Sequence, residues 1–142
     1  MSDEEAARET WLRQVELRAE RPYTLLYLST HGQLLHLDAR RAFVAGAWAS
    51  VIVMCQAIIE ATLRDLHFKD YDAKAKELFF NQEDLERLRI LRNQLVHPSP
   101  PGTPSEIWTV PNGDSVACHA ALEAPARWAY EFMLEAVYSG RE

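Results

Sequence analysis

The chain has 142 residues, 48% hydrophobic and 25% charged, with a formal net charge of -6 and a pI near 5.4. The length suits one domain over residues 1–142, and the apolar fraction excludes a disordered chain. The acidic balance excludes a surface that grips nucleic acid mainly through charge, so any such site must be a local cationic groove.

Ser2 and Glu5 form a capping-box pattern that predicts a first helix, carried by Trp11, Leu12, Val15 and Ala19 and stopped at Arg21-Pro22. The acidic start with no apolar stretch behind it does not read as a signal peptide, and a reducing cytoplasm is expected. Residues 23–37 are apolar but interrupted by Ser29, Thr30, His31 and Gly32, and they read as a linker containing a short helical or extended piece. Asp38 is the expected N-cap of a long second helix reaching about residue 67. Its stretch 42–59 is 18 residues without a charge, the lower limit for crossing a bilayer. Ala and Gly content, Ser50 and Gln56, and the flanking Arg40, Arg41, Glu60, Arg64 and Asp65 favour a helix at the centre of a bundle or between two subunits. No membrane association is expected.

A shorter helix is predicted over 71–80, with Lys74, Lys76 and Glu77 outward, and Asn81 is an N-cap for the next, over 82–96. That helix carries a stripe of Leu85, Leu88, Leu91 and Leu95 and ends before Pro98. Residues 98–104 are a proline-rich loop, and 107–118 read as a small β-hairpin turning at Asn112-Gly113. Pro125 suits the first turn of a last helix, whose apolar residues are Trp128, Ala129, Phe132, Leu134, Ala136 and Val137, with Gly140 as a stop. The expected fold is all-α, a four- or five-helix up-and-down bundle.

Cys55 and Cys118 stand far apart, so neither a disulfide framework nor a zinc knuckle follows. His31, His36, His67 and His119 have no metal-ligand spacing and read as surface or satisfied polar residues. Trp11, Trp48 and Trp128 fall on apolar helix faces as core or dimer contacts, while Trp108 lies near the proline loop, where a partner or a base has room to stack. No phosphate-cradling glycine loop or nucleophile elbow is present; no cofactor and no metal are expected.

The segment Arg92-Asn93-Gln94-Leu95-Val96-His97 sits at the end of the leucine-striped helix, before the forced stop. At about 100° per residue, Arg92 and His97 lie about 140° apart around an ideal helix, whereas Asn93 and His97 share a face. His97, at the residue before Pro98, escapes strict helical geometry, and a site using both Arg92 and His97 can form where the helix end meets another surface, such as the same helix end of a second subunit. Arg87, Arg89 and Arg92 give this helix a local positive cluster, tempered by Glu83, Asp84 and Glu86.

Arg92-Asn93-x-x-x-His97 in the setting LRNQLVHP resembles the signature of the HEPN superfamily, and the run 57–64 with Glu60 is similar to that family's second helix. The resemblance covers residues 38–98 and implies a dimeric helical bundle and, in many members, a metal-independent endoribonuclease. It implies Arg92 and His97 as catalytic residues, with Asn93 orienting His97, and Glu60 and Arg64 as supporting residues, Glu60 facing the cleft to hold an Arg. It also implies RNA as substrate and, for a toxin or defence effector, a protein antitoxin or regulator as partner. The chemistry suits the residues: a His of pKa near ~6.5 can move the proton of a ribose 2′-hydroxyl, and an Arg can hold the phosphate bidentately. The products would be a 2′,3′-cyclic phosphate and a 5′-hydroxyl. One branch of the family has Tyr two positions after the His; Ser99 stands there, which sets the nucleotidyltransferase-type antitoxin of that branch in doubt. The plain alternatives are a helix end whose cations answer the macrodipole, a Glu60–Arg64 helical ion pair, and a non-catalytic helical interaction module.

Overall fold

The computed structural model describes residues 1–19, 24–25, 30–68, 82–100, 102–107, 114–138 and 140–141. Chain order is α1 (Asp3–Ala19), β1 (Thr24–Leu25), α2 (Thr30–Val44), α3 (Trp48–Phe68), α4 (Gln82–Val96), α5 (Ser115–Ala121), α6 (Glu123–Tyr138) and β2 (Gly140–Arg141). The architecture is an all-α bundle with one antiparallel bridge, Thr24 opposite Arg141 and Leu25 opposite Gly140.

The capping box forms as its residues dictate. The Glu5 amide donates to Ser2 Oγ at 3.1 Å and the Ser2 amide to Glu5 Oε2 at 3.4 Å, which satisfies two donors at the start of α1. Leu12 and Val15 are buried on its inner face.

The single long helix expected over 38–67 is two helices. α2 starts at Thr30, inside the expected linker, and Asp38 lies within it, ion-paired to Arg41 at 3.5 Å instead of capping. The break falls at Gly46, whose φ of 74° is the left-handed conformation that ends helices cheaply only at glycine. The Gly46 amide donates to Phe43 O at 2.9 Å and the Ala47 amide to Ala42 O at 2.8 Å, the paired bonds of a Schellman motif. Ala47 O then accepts from the Val51 amide, so α3 begins at once. A Cβ on Gly46 would stand 3.0 Å from the Arg8 guanidinium carbon, and Arg8 itself donates to Val44 O at 3.1 Å. Gly46→Ala is therefore expected to lower stability by about 1–2 kcal/mol from the dihedral alone. A lowered urea midpoint at unchanged slope would show it, and the same change beside Arg8→Ala separates the dihedral from the contact.

α3 lies at the centre, packed against α2, α4, α5 and α6. Among its described residues Trp48, Val51, Ile52, Cys55, Ile58, Ile59 and Thr62 are buried, spaced at helical period. Buried Thr62 satisfies its hydroxyl on Ile58 O at 2.9 Å. Among the described residues no helix is long and apolar enough to cross a membrane. Phe43, in the last turn of α2, lies in the middle of an aromatic group: Trp11 stacks on it at 4.9 Å, Trp48 meets it edge-on at 5.2 Å, and Tyr130 tilts against it at 5.6 Å.

Helix replaces the second strand of the expected β-hairpin. Residues 115–118 are the first turn of α5, because the Asp114 carboxylate accepts the amides of Val116 at 3.0 Å and Ala117 at 3.3 Å as an N-cap. The expected turn at Asn112-Gly113, Trp108, and the helix expected over 71–80 lie outside the described residues. Leu122, buried, joins α5 directly to α6, whose first turn contains Pro125.

Candidate functional site

The α4 stripe reads as expected: Leu88 and Leu91 are fully buried, with Leu85 and Leu95 packed against the core. Arg92 follows Leu91 on the edge of this stripe and is half-buried. Its Nη1 donates to Asn93 Oδ1 at 2.9 Å. The helix ends at Val96, and His97 sits in a bend, exposed, its amide donating to Asn93 O at 2.9 Å.

The family resemblance gives Asn93 the role of orienting the His97 ring through its side chain. In the structure its carboxamide oxygen accepts from Arg92 instead, and only its backbone carbonyl serves His97. The physical reason is proximity of charge: a guanidinium one residue away is a stronger donor to that oxygen than a neutral ring. Among the described residues no hydrogen bond joins the Arg92 and His97 side chains, and the ring of His97 has no side-chain partner. Glu60 and Arg64 bind each other at 3.1 Å on the exposed face of α3, and among the described residues no hydrogen bond or ion pair ties either to Arg92 or His97. The helical ion pair is the arrangement present.

The positive cluster expected on α4 is largely neutralised. Arg87 forks onto Glu106 and lies over the Trp128 ring with its guanidinium carbon 4.0 Å from the centroid. Arg89 is held by Glu86 three residues before it, through Nε at 3.0 Å. Arg92 alone of the three has no carboxylate partner among the described residues.

The loop after His97 is bound back onto α4. Gln94 Nε2 donates to Pro104 O at 3.3 Å, the Ser105 hydroxyl donates to Gln94 Oε1 at 3.2 Å, and the Ile107 amide donates to Ser105 Oγ at 3.1 Å. With Ile107 buried and Glu106 on Arg87, the chain that leaves His97 returns antiparallel along the helix it has just left. These bonds tie residues 104–106 to the side chains of Gln94 and Arg87, where composition alone showed only a loop.

Two further features went unseen in the sequence. Glu16, Arg40, His36 and Tyr130 form a polar network between α1, α2 and α6, with fully buried Tyr130 at its centre. Burial pushes the His36 ring below its ordinary pKa, with Arg40 adding to the shift and Glu16 opposing it. Arg127, bonded to Glu123 at 2.9 Å, lies 4.7 Å over Trp11 and 5.3 Å over Phe43, so a cation closes the aromatic group. Cys55 and Cys118 are both free and buried, and burial raises the Cys55 thiol far out of the reactive range. Among the described residues no three metal-ligating side chains cluster.

Comparison with protein-family models, with curated proteins and with solved structures finds no match.

Proposed function

We propose that this chain is a HEPN-like helical domain acting in the cytoplasm as a metal-independent endoribonuclease. The observation that carries the reading is the end of α4, where a half-buried guanidinium without a carboxylate partner among the described residues precedes an exposed imidazole by five positions. Arg92 is in the state needed to hold a phosphate, because its neighbours Arg87 and Arg89 are already paired and it is not, among the described residues. His97 is free to accept or donate a proton.

In the reaction the 2′-oxygen attacks phosphorus while one His97 takes its proton. The bond from phosphorus to the 5′-oxygen breaks, and the leaving oxygen takes a proton from the second His97, which enters the step as imidazolium and leaves it neutral. Arg92 answers the charge that develops on the phosphoryl oxygens. On this reading a homodimer supplies the two imidazoles, and among the described residues no hydrogen bond joins Arg92 and His97 within one copy. An antitoxin or regulator protein would keep such an activity in check.

The test is incubation of purified protein with a mixed RNA pool in EDTA, beside Arg92→Ala and His97→Ala. Cleavage by the unsubstituted protein alone, leaving cyclic-phosphate ends, is the expected result. No cleavage, or equal cleavage by all three, sinks the nuclease. The second reading, a non-catalytic helical interaction module, is favoured by the formal net charge of -6 and the pairing of Arg87 and Arg89, which leave little cationic surface for RNA.

A further inference from the structure

The arginines of α4 are held by different edges. Arg87 meets Glu106 through Nε and Nη2, and Arg89 meets Glu86 through the same pair of nitrogens, Nε at 3.0 Å and Nη2 at 2.6 Å. In both, a carboxylate fills the Nε–Nη2 edge, the planar fork that fits two oxygens of one anion. Arg92 is held from the other side. Its Nη1 donates to Asn93 Oδ1 at 2.9 Å, and among the described residues nothing bonds its Nε or Nη2. A guanidinium has donors only, so the carboxamide must turn its oxygen to it, an acceptor without net charge. The bond therefore fixes the direction of the cation and leaves both its charge and its forked edge free.

Consecutive residues point about 100° apart around a helix, so only a long side chain bending across a short one makes this contact. It brings the Arg92 guanidinium to Asn93, the residue whose backbone carbonyl accepts the His97 amide at 2.9 Å. We propose that Asn93 is a positioning residue for Arg92, holding the guanidinium by Nη1 so that its Nε–Nη2 edge is presented to a phosphoryl group. The proposal rests on the endoribonuclease reading for its substrate, and it assigns the Asn93 side chain to the arginine where the family resemblance assigns it to the imidazole. A neutral side chain is required at this place. An aspartate of the same shape would bind the guanidinium as Glu106 and Glu86 bind theirs, and would compete with the phosphate for it.

The test compares Asn93→Ala and Asn93→Asp with the parent protein in two measurements; both variants keep the backbone bond to His97. In RNA cleavage, Asn93→Ala is expected to lower kcat/KM about 2–10-fold, the weight of one hydrogen bond, with the pH midpoint of kcat unchanged. Asn93→Asp is expected to fall about fivefold further, the weight of a partly exposed ion pair. A pH midpoint that moves in the alanine variant, or an aspartate variant as active as the alanine one, overturns the proposal by assigning Asn93 to His97 or to the fold. The second measurement needs no turnover and can be made on the parent protein alone: the Arg92 Nε–H signal is followed by NMR as inorganic phosphate is added. It is expected to shift in the parent, less in Asn93→Ala and least in Asn93→Asp. No shift in the parent, or equal shifts in all of them, overturns the positioning role whether or not RNA is cleaved. Shifts in the expected order without RNA cleavage keep Asn93 as the residue that presents Arg92 to phosphate and remove the nuclease alone.

Discussion

Under the proposed endoribonuclease reading, replacement of His97 by alanine is expected to lower RNA cleavage by about 10²–10⁴-fold, the usual contribution of a positioned general acid or base, while leaving stability within about 0.5 kcal/mol. The second half rests on its surroundings: the ring is exposed and makes no side-chain hydrogen bond among the described residues, so its loss removes no folded-state contact there. Arg92→Ala should behave differently. On the proposed reading it removes a phosphate ligand; it also removes a half-buried side chain and its bond to Asn93, so activity and unfolding midpoint are both expected to fall. Arg92→Lys keeps charge and much of the packing but loses the planar fork, and should recover stability more than turnover. Parallel cleavage assays and urea titrations of the three variants separate these outcomes. If His97→Ala lost stability as much as activity, the residue would be a structural one and the catalytic assignment would fall.

The largest loss of stability is expected at Phe43, where truncation to alanine should cost about 3–5 kcal/mol. The ring is fully buried and touches α1, α3 and α6 through Trp11, Trp48 and Tyr130. Its removal leaves a cavity under Arg127 that the polar Tyr130 network cannot collapse to fill, because Tyr130 is held on Glu16 and His36. Phe43→Leu should recover part of the loss by refilling volume without the ring contacts. A calorimetric scan would show the alanine variant melting well below the leucine one. A leucine variant melting with the parent protein would mean that Phe43 contributes area alone and that the aromatic arrangement adds nothing.

The helix starts and stops of this chain are legible where the physics is local. Ser2 and Glu5 cap α1 because their side chains reach each other's amides within four residues, and Leu85, Leu88, Leu91 and Leu95 fall on one side of α4 because a helix turns about 100° per residue. Pro98 stops α4 for an equally local reason. The motif's place at a helix end comes from these signals, and with it the exposure of His97 and the marginal position of Arg92.

Elsewhere a local pattern has two solutions. Gly46 in an Ala-rich run is tolerated inside a helix as readily as it ends one, and the left-handed turn is favoured by Arg8 and Val44 closing over it from α1 and α2. Residues 115–118 have the composition of a strand, yet the Asp114 cap and burial of Cys118 make them a helix. The charge of the motif helix cannot be judged from its own residues, because Arg87 is neutralised by Glu106, 19 positions on, and Trp128. Glu16, His36, Arg40 and Tyr130 carry no pattern at all along the chain, since up to 114 residues separate them. Sequence by itself determined the helical class, the leucine face and where the Arg-Asn-x-x-x-His segment ends its helix, all set by interactions within one or two turns. Tertiary structure alone decided which charges remain unpaired and which polar groups meet in the interior, because those depend on what packing brings together from distant parts of the chain.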